Sequence, residues 1–580
     1  MSVPRFTFVL WCGSFWLLEG AAAAQQTFTD GLVPSVVDWR HDIDEIVKDI
    51  QLLHPNPFTR IGRVTFLREV NALKSALPYL TQEQRAVRAM RLVASLGDGH
   101  TQLAPENPIF ASWYPIRLYE FTDGLFVTSA YKAVADLAGG QVLEIGGRPA
   151  IEVVEQARRL MGADNAFGSQ ERLYAVHNAG LMKGLGYADS TGAVTVKVRL
   201  RSGRILERTL NPTKSDDATY EWQYRTEVYG LPFGADSEWV SAYKGLPASA
   251  FSSTDTSRPP HLTDRLHYGG RPLPRQGAYY VRADYVTDYD FVQFFQRVLR
   301  EVDQLRPRHL ILDWRYNFGG DGSKLDFMIE EFIKRADHRP WQELYLLTGR
   351  KTFSAGLMAV DAFLKHTPHT IVGEPAGGPL NHFGDPTSRR YPRTGLHLQV
   401  STLWHQLSSS NDISEFIPVD IPAPFSFADY AAGRDPAVDP ILRGEEMRSI
   451  PVIALSDGGA AARRVYTERQ SRYAKYDWWT PPQENDLRRV CDALREQRRM
   501  TDALETCKLN AEIHPLTWNV WLNLGIAQRA AGLKKEGLAS YRCVLVVDPN
   551  NFNGADIRGL LAREDSTGAT GLAPGCPGVR

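Results

Sequence analysis

The segment that most restricts this chain is Leu344-Tyr-Leu-Leu347, followed by Gly349-Arg-Lys-Thr-Phe-Ser354-Ala-Gly and then by Leu357, Val360, Ala362, Phe363 and Leu364. An apolar strand has to become an apolar helix within a few residues, with a serine at the turn. That serine sits at a helix mouth, beside N–H groups that have no partner within the helix and that favour negative charge. Two readings are open for it. Serine is a preferred N-cap. A hydroxyl in this place can also be a nucleophile, with the neighbouring N–H groups holding the oxyanion of a tetrahedral intermediate.

A similar turn lies upstream. The run His309-Leu-Ile-Leu-Asp313-Trp-Arg315-Tyr-Asn317-Phe leads into Gly319-Gly320-Asp-Gly322 and then into Leu325, Phe327, Met328 and Phe332. Glycines let the backbone approach closely and can aim successive N–H groups at an anion, although a plain tight turn uses them as well. Neither the Gly-x-x-x-x-Gly-Lys-Ser/Thr spacing nor Gly-x-Gly-x-x-Gly is present, which argues against nucleotide binding. A third signal, Ser95-Leu-Gly97-Asp98-Gly99-His100-Thr101, closes an amphipathic segment whose apolar face holds Val87, Met90, Leu92, Val93 and Leu96. Its histidine emerges into a loop, where neutral imidazole can take a proton from a serine or can simply cap the chain.

In this order, Leu96-Gly-Asp-Gly-His100-Thr, Leu310-Ile-Leu-Asp313-Trp-Arg315-Tyr-Asn317-Phe-Gly319-Gly320 and Thr352-Phe-Ser354-Ala resemble the tricorn and C-terminal-processing serine peptidase family. The stretches Val372-Gly373-Glu374 to Asn381-His382-Phe-Gly384-Asp385, and Tyr430-Ala-Ala-Gly433-Arg434-Asp435-Pro436, are similar to segments of its tricorn-like branch. The resemblance implies Ser354 as nucleophile and His100 as general base. It implies an oxyanion hole made by the N–H groups of Ala355 and of Gly319 or Gly320. A polypeptide is the expected substrate, and no cofactor or metal is expected.

Two departures from the family pattern bear on mechanism. Matching Gly373-Glu374 to the loop after the nucleophile puts Pro379 where processing peptidases carry a lysine base, so the histidine route is favoured and activity is expected to fall through an imidazole pKa of ~6.5. Where tricorn has a serine before its histidine, this chain has Gly99. The acidic partner of His100 is open among Glu415, Asp412 and Asp98. Glu415 comes first, because it precedes Phe416-Ile-Pro-Val-Asp420-Ile, which resembles the segment after the acidic residue in relatives.

The chain has 580 residues and a formal net charge of −1. Such a length holds about three to four domains. The charge balance offers no attraction for nucleic acid or acidic lipid. Arg5, the apolar run Phe6 to Leu18 and Ala22-Ala-Ala24 read as a cleavable signal over residues 1–24, so the protein is expected to be exported to the periplasm or medium, with no transmembrane segment after cleavage. Cys491, Cys507, Cys543 and Cys576 have no Cys-x-x-Cys spacing, and no His-Glu-x-x-His is present, so a metal site lacks support.

Patterning divides the rest into a multidomain α/β chain. An N-terminal helical domain spans 25–109, and a PDZ-like β-rich module that resembles a peptide-binding companion of the family spans 110–211. An insertion or linker follows at 212–275, then an α/β catalytic domain at 276–442 whose crotonase-like or ClpP-like fold is implied by the resemblance. A connector is expected at 443–482. Trp521-Leu-Asn-Leu524-Gly525, Tyr541 and Asp548-Pro549 have tetratricopeptide spacing, with a weaker copy marked by Ala503 and Pro515, so helical hairpins that could take a protein partner are expected at 483–560, before a tail at 561–580. In the weaker copy Cys491 and Cys507 flank the inter-helix turn at similar height, which suits a disulfide or two buried packing residues. The function so implied is that of an exported serine peptidase. The alternatives are a peptide-binding scaffold that has lost turnover and an esterase-type acyl hydrolase.

Overall fold

The computed structural model describes residues 33–214, 239–242, 268–286, 289–335, 338–564 and 571–577. The expected signal segment, most of the expected insertion and part of the tail lie outside these residues. The chain divides into two compact units, one of 1–367, 373–417 and 423–445, the other of 368–372, 418–422 and 446–580.

The first unit begins with three helices, Val36–Leu53, Arg63–Ala76 and Gln82–Ala94. The first is amphipathic, burying Trp39, Ile43, Ile46, Val47 and Ile50 on one face. Ser35 and Asp38 close its N-terminus as a reciprocal capping box, and Thr81 with Gln84 does the same for the third helix. A seven-stranded antiparallel sheet follows, with a central order of Trp239–Ser241, Gly124–Tyr131, Gln141–Ile145, Val194–Arg199 and Ile205–Leu210. Ile50, Phe66 and Met90 from the helices share one core with Val127, Val142 and Val198 from the strands. Complete burial of one such side chain contributes about 1.5–3 kcal/mol.

The α/β layer is built from Tyr268–Leu273, antiparallel to Ala278–Ala283, which runs parallel to His309–Asp313 and through it to Glu343–Thr348. The helices Tyr289–Leu305 and Leu325–Lys334 make the crossovers between the parallel strands. Every residue of His309–Asp313 is buried, as a parallel strand covered on both faces requires. Both later strands end at one edge, and their carboxyl ends lead into the two glycine-bearing turns; open α/β sheets bind ligands at such ends. Just past the strand His309–Asp313, the Arg315 guanidinium is clamped between the buried carboxylates of Asp313 and Asp435, which accounts structurally for three charged residues of the sequence motifs.

The second unit is mainly helical. The connector expected at 443–482 contains two helices, Ile450–Asp457 and Gly459–Tyr473, separated at Gly458, whose φ of 94° ends the first of them. Helices Glu484–Glu496, Met500–Ile513, Trp518–Ala530, Lys534–Val547 and Gly554–Glu564 follow. Leu487, Leu494, Ala503, Trp521, Leu524 and Tyr541 form their core together with Ile453 and Ala462 of the first two helices. Cys491 and Cys507 are disulfide-bonded with Cα atoms 5.7 Å apart, and Cys543 is bonded to Cys576, 33 residues away, fastening the end of the chain to this core.

Candidate active site

Ser354 stands between the strand Glu343–Thr348 and the helix Ala355–His366, with φ 53° and ψ −125°. A serine at such a φ costs about 1–3 kcal/mol and persists only where surrounding bonds over-determine it. Those bonds are present. Phe353 donates its N–H to Asn317 O at 2.9 Å, Thr352 donates its hydroxyl to Trp314 O at 2.8 Å, and Gly356 donates its N–H to Phe353 O at 2.9 Å. The hydroxyl of Ser354 does not cap the helix that it precedes, so the N-cap reading of this serine loses its support.

The second glycine turn lies directly against it. A Cβ on Gly319, whose φ is 110°, would fall 2.5 Å from Ser354 Cβ, 3.0 Å from its Oγ and 3.0 Å from Ala355 N. The N–H of Gly319 is already donated to Asn317 Oδ1 at 3.0 Å. Among the described residues, the N–H groups of Gly320 and Ala355 have no hydrogen-bond partner. Of the three donors expected from the sequence, these two remain available to an oxyanion.

His100 comes off the helix Gln82–Ala94 by way of Gly97, at φ 70°, and its ring stacks on Phe353, with centroids 4.4 Å apart and planes at 25°. The imidazole is therefore packed on the residue that precedes Ser354, from a segment far away in sequence. The residue is 3% exposed and neither ring nitrogen has a partner among the described residues, so no hydrogen bond joins it to Ser354. Such bonds are often loose before substrate binds. Burial pushes its pKa down to about 3, against the opposing effect of Asp98, with His382, Arg172 and His405 adding to the depression. The imidazole thus stays neutral far below the ordinary value expected from the sequence. The buried ring of His382 lies parallel to that of His100 at 6.0 Å, and His405 beyond it pairs with Asp385 at 2.9 Å.

The carboxylates divide sharply. The Glu415 side chain is 67% exposed and faces Arg60 at 3.9 Å, and it makes no hydrogen bond to His100, while Asp412 accepts from the N–H of Ser414. Two buried carboxyls do stand at His100. Asp98 accepts from His54 Nε2 at 3.0 Å, from Ser401 Oγ at 2.6 Å, from the Thr101 hydroxyl and from the His100 N–H. Burial alone would raise its pKa, but these bonds and the charge of His100 outweigh it and hold the carboxyl at about 2. Asp164 was not expected from the sequence. Its Oδ1 accepts the Gly99 N–H at 2.8 Å and its Oδ2 has no partner among the described residues; burial, then Asp98, pushes its pKa up to about 7.

One ligand-capable atom from each of Asp98, His100 and Asp164 lies within 4.8 Å of the others. The oxygens of Asp98 are engaged by four donors, which leaves two groups with free atoms. Protein metal sites commonly use three or four ligands, so the expectation of no metal is not displaced by this cluster.

No family model matches the sequence. No curated protein sequence matches it either. Solved structures similar to the chain include mature CPAF, at 13% identity over 71% of this chain and 98% of that one with a TM-score of 0.47. The photosystem II D1 C-terminal processing protease is similar at 14% identity over 71% of this chain and 98% of its own, with a TM-score of 0.32. Tricorn protease shows 14% identity over 71% of this chain and 37% of its own length, also with a TM-score of 0.32. Among the described residues, no helix is long and apolar enough to cross a membrane.

Proposed function

We propose that the chain is a serine peptidase that cuts polypeptides by attack of Ser354 Oγ on the scissile carbonyl. The observation that carries this reading is the conformation of Ser354: a serine at φ 53° that does not cap its own helix, held against Gly319 beside unpaired N–H groups. His100, neutral and with both nitrogens free, takes the hydroxyl proton and returns it to the leaving amine. The N–H groups of Ala355 and Gly320 receive the negative charge that develops on the carbonyl oxygen. Glu415 is not carried into this reading, because its carboxylate is largely in solvent and faces Arg60.

The reading extends to export, with a mature chain beginning near Gln25, to peptide binding by the antiparallel sheet module, and to a protein partner at the paired helices of the second unit. The test is cleavage of a denatured proteome by the purified chain, with ester substrates in parallel. Peptide cleavage that vanishes in Ser354→Ala and falls at least about a hundredfold in His100→Ala supports the peptidase. Ester turnover alone points to an acyl hydrolase. The missing Ser354–His100 bond favours a scaffold as second reading, and inertness toward both substrate classes would establish it.

A further inference from the structure

If Ser354 and His100 work as proposed above, His100 needs a group that fixes which of its nitrogens carries the proton. Only the tautomer whose free nitrogen faces the hydroxyl can act as base. Of the carboxyls that position or sequence puts forward, Asp412 is engaged by the Ser414 N–H, which leaves three. Glu415 is exposed and turned to Arg60. Asp98 is close, but His54, Thr101 and Ser401 all donate to its Oδ2 and the His100 N–H takes its Oδ1. Its lone pairs are spent on holding the loop.

Asp164 is different. It is 9% exposed, its Oδ2 is a buried acceptor with no donor, and it belongs to the group of three whose atoms lie within 4.8 Å of each other. The neighbouring ring, His100, is a buried donor with no acceptor among the described residues. A buried unsatisfied polar atom costs about 1–3 kcal/mol, so two of them side by side are expected to pair. Gly99 gives an independent indication. A Cβ at that position would stand 2.7 Å from Asp164 Oδ2 and 2.7 Å from Phe353 Cζ. The carboxyl occupies the space that a side chain at position 99 would need, so glycine there and Asp164 are one arrangement.

We propose that Asp164 is the positioning residue for His100: its Oδ2 accepts the N–H of the imidazole on the side away from Ser354 and so holds the base in its working tautomer. Asp164 is itself held by the Gly99 N–H at 2.8 Å, while Arg172 donates to Gly99 O at 3.2 Å and Arg60 to the Asp164 backbone carbonyl at 3.3 Å. The groups that bear on its charge are Asp98 on the preceding loop, which opposes ionisation, and Arg172 and Arg60 from two other segments, which favour it. Only ionised Asp164 accepts from His100. Activity therefore rises with pH as this carboxyl ionises around 7, and not at the much lower pKa of His100.

The experiment compares wild type with Asp164→Asn and Asp164→Glu as full mature chains, measuring kcat, KM and the pH profile on a peptide substrate, with folding followed by circular dichroism. The asparagine variant is expected to lose about 10²–10⁴-fold in kcat with little change in KM, as other tautomer-fixing carboxylates do. Its acid limb near pH 7 should disappear, and glutamate should restore part of the rate. A kcat within about threefold of wild type and an unchanged limb overturns the proposal. As a readout that needs no turnover, a downfield imidazole N–H resonance in ¹⁵N-histidine-labelled wild type, assigned with His100→Gln, should appear as pH rises through 7; its absence at pH 8 also overturns the proposal. Loss of turnover in Ser354→Ala with no effect of Asp164→Asn rejects this inference alone. Full activity of Ser354→Ala rejects the peptidase reading instead, and the resonance still decides the pairing.

Discussion

Replacing Asp98 by asparagine tests whether the loop carrying His100 is held as described. The Oδ2 of Asp98 receives three donors, from the end of the first helix at His54, from Thr101 and from Ser401, and its Oδ1 receives the His100 N–H. His54 Nδ1 accepts from the Asn56 N–H, so Nε2 carries the proton that Asp98 receives. Asparagine can keep an oxygen toward the three side chains only by turning its amide N–H toward the His100 N–H. Bonds to a charged acceptor are worth about 1.5–3 kcal/mol and neutral ones about 0.5–1.5. The three weakened bonds therefore lose about 1 kcal/mol each, and the stranded N–H adds about 1–3 kcal/mol before relaxation. The expected loss is about 4–6 kcal/mol before relaxation, at or slightly above the cost of breaking a buried ion pair.

The charge-dependent part of this loss has a defined pH window. The folded pKa of about 2 lies below the ordinary value of 3.8, so the ionised form adds stability above 3.8 that disappears as pH falls through 2. At 1.36 kcal/mol per unit this part is about 2 kcal/mol. Thermal and urea unfolding of wild type and Asp98→Asn should show the transition of the first unit moved at pH 7, that of the helical unit unmoved, and the gap narrowing between pH 4 and 2. A loss below about 1 kcal/mol at pH 7, or a gap constant down to pH 2, would refute the reasoning.

Other predictions follow from the same geometry. Gly319→Ala places a methyl 2.5 Å from Ser354 Cβ at a φ of 110°, so turnover should fall by at least about a hundredfold, as when an oxyanion donor is lost, while circular dichroism stays native; near-normal rates would contradict the contact. Unreduced peptide maps should show Cys491 linked to Cys507 and Cys543 linked to Cys576, and free thiols at these positions in oxidised protein would contradict it. Removing the bridge between Cys491 and Cys507, 16 residues apart, should lower the stability of the helical unit by about 3 kcal/mol in denaturant titration.

Much of the catalytic layer was legible because its signals are local. The strands at Leu310 and Leu344, the turns at Gly319 and Ser354 and the helix from Ala355 each follow from a short apolar pattern broken by glycine or serine. Asp164 carries no local signal. It stands in Gly162-Ala-Asp-Asn165 and reaches Gly99 only through tertiary packing, 65 residues away in sequence. Gly99, standing where tricorn has a serine, is its visible trace in the sequence, but which group fills the space is a three-dimensional fact. Glu415 was chosen from the sequence that follows it, and adjacency in sequence says nothing about burial. The connector expected at 443–482 holds two helices, with Pro451 in a first helical turn, where proline is well tolerated, and Gly458 ending one helix where the next begins. The core that the N-terminal helices share with the antiparallel sheet left no trace in the sequence either, since a shared core is invisible to composition.

The central claim, that Ser354 is an activated nucleophile, is tested most directly by reacting the purified mature chain with an active-site-directed fluorophosphonate and mapping the adduct by mass spectrometry. One adduct is expected, on Ser354, absent in Ser354→Ala and formed at least about a hundredfold more slowly in His100→Ala. An unmodified wild-type chain, or labelling that persists in Ser354→Ala, would contradict it.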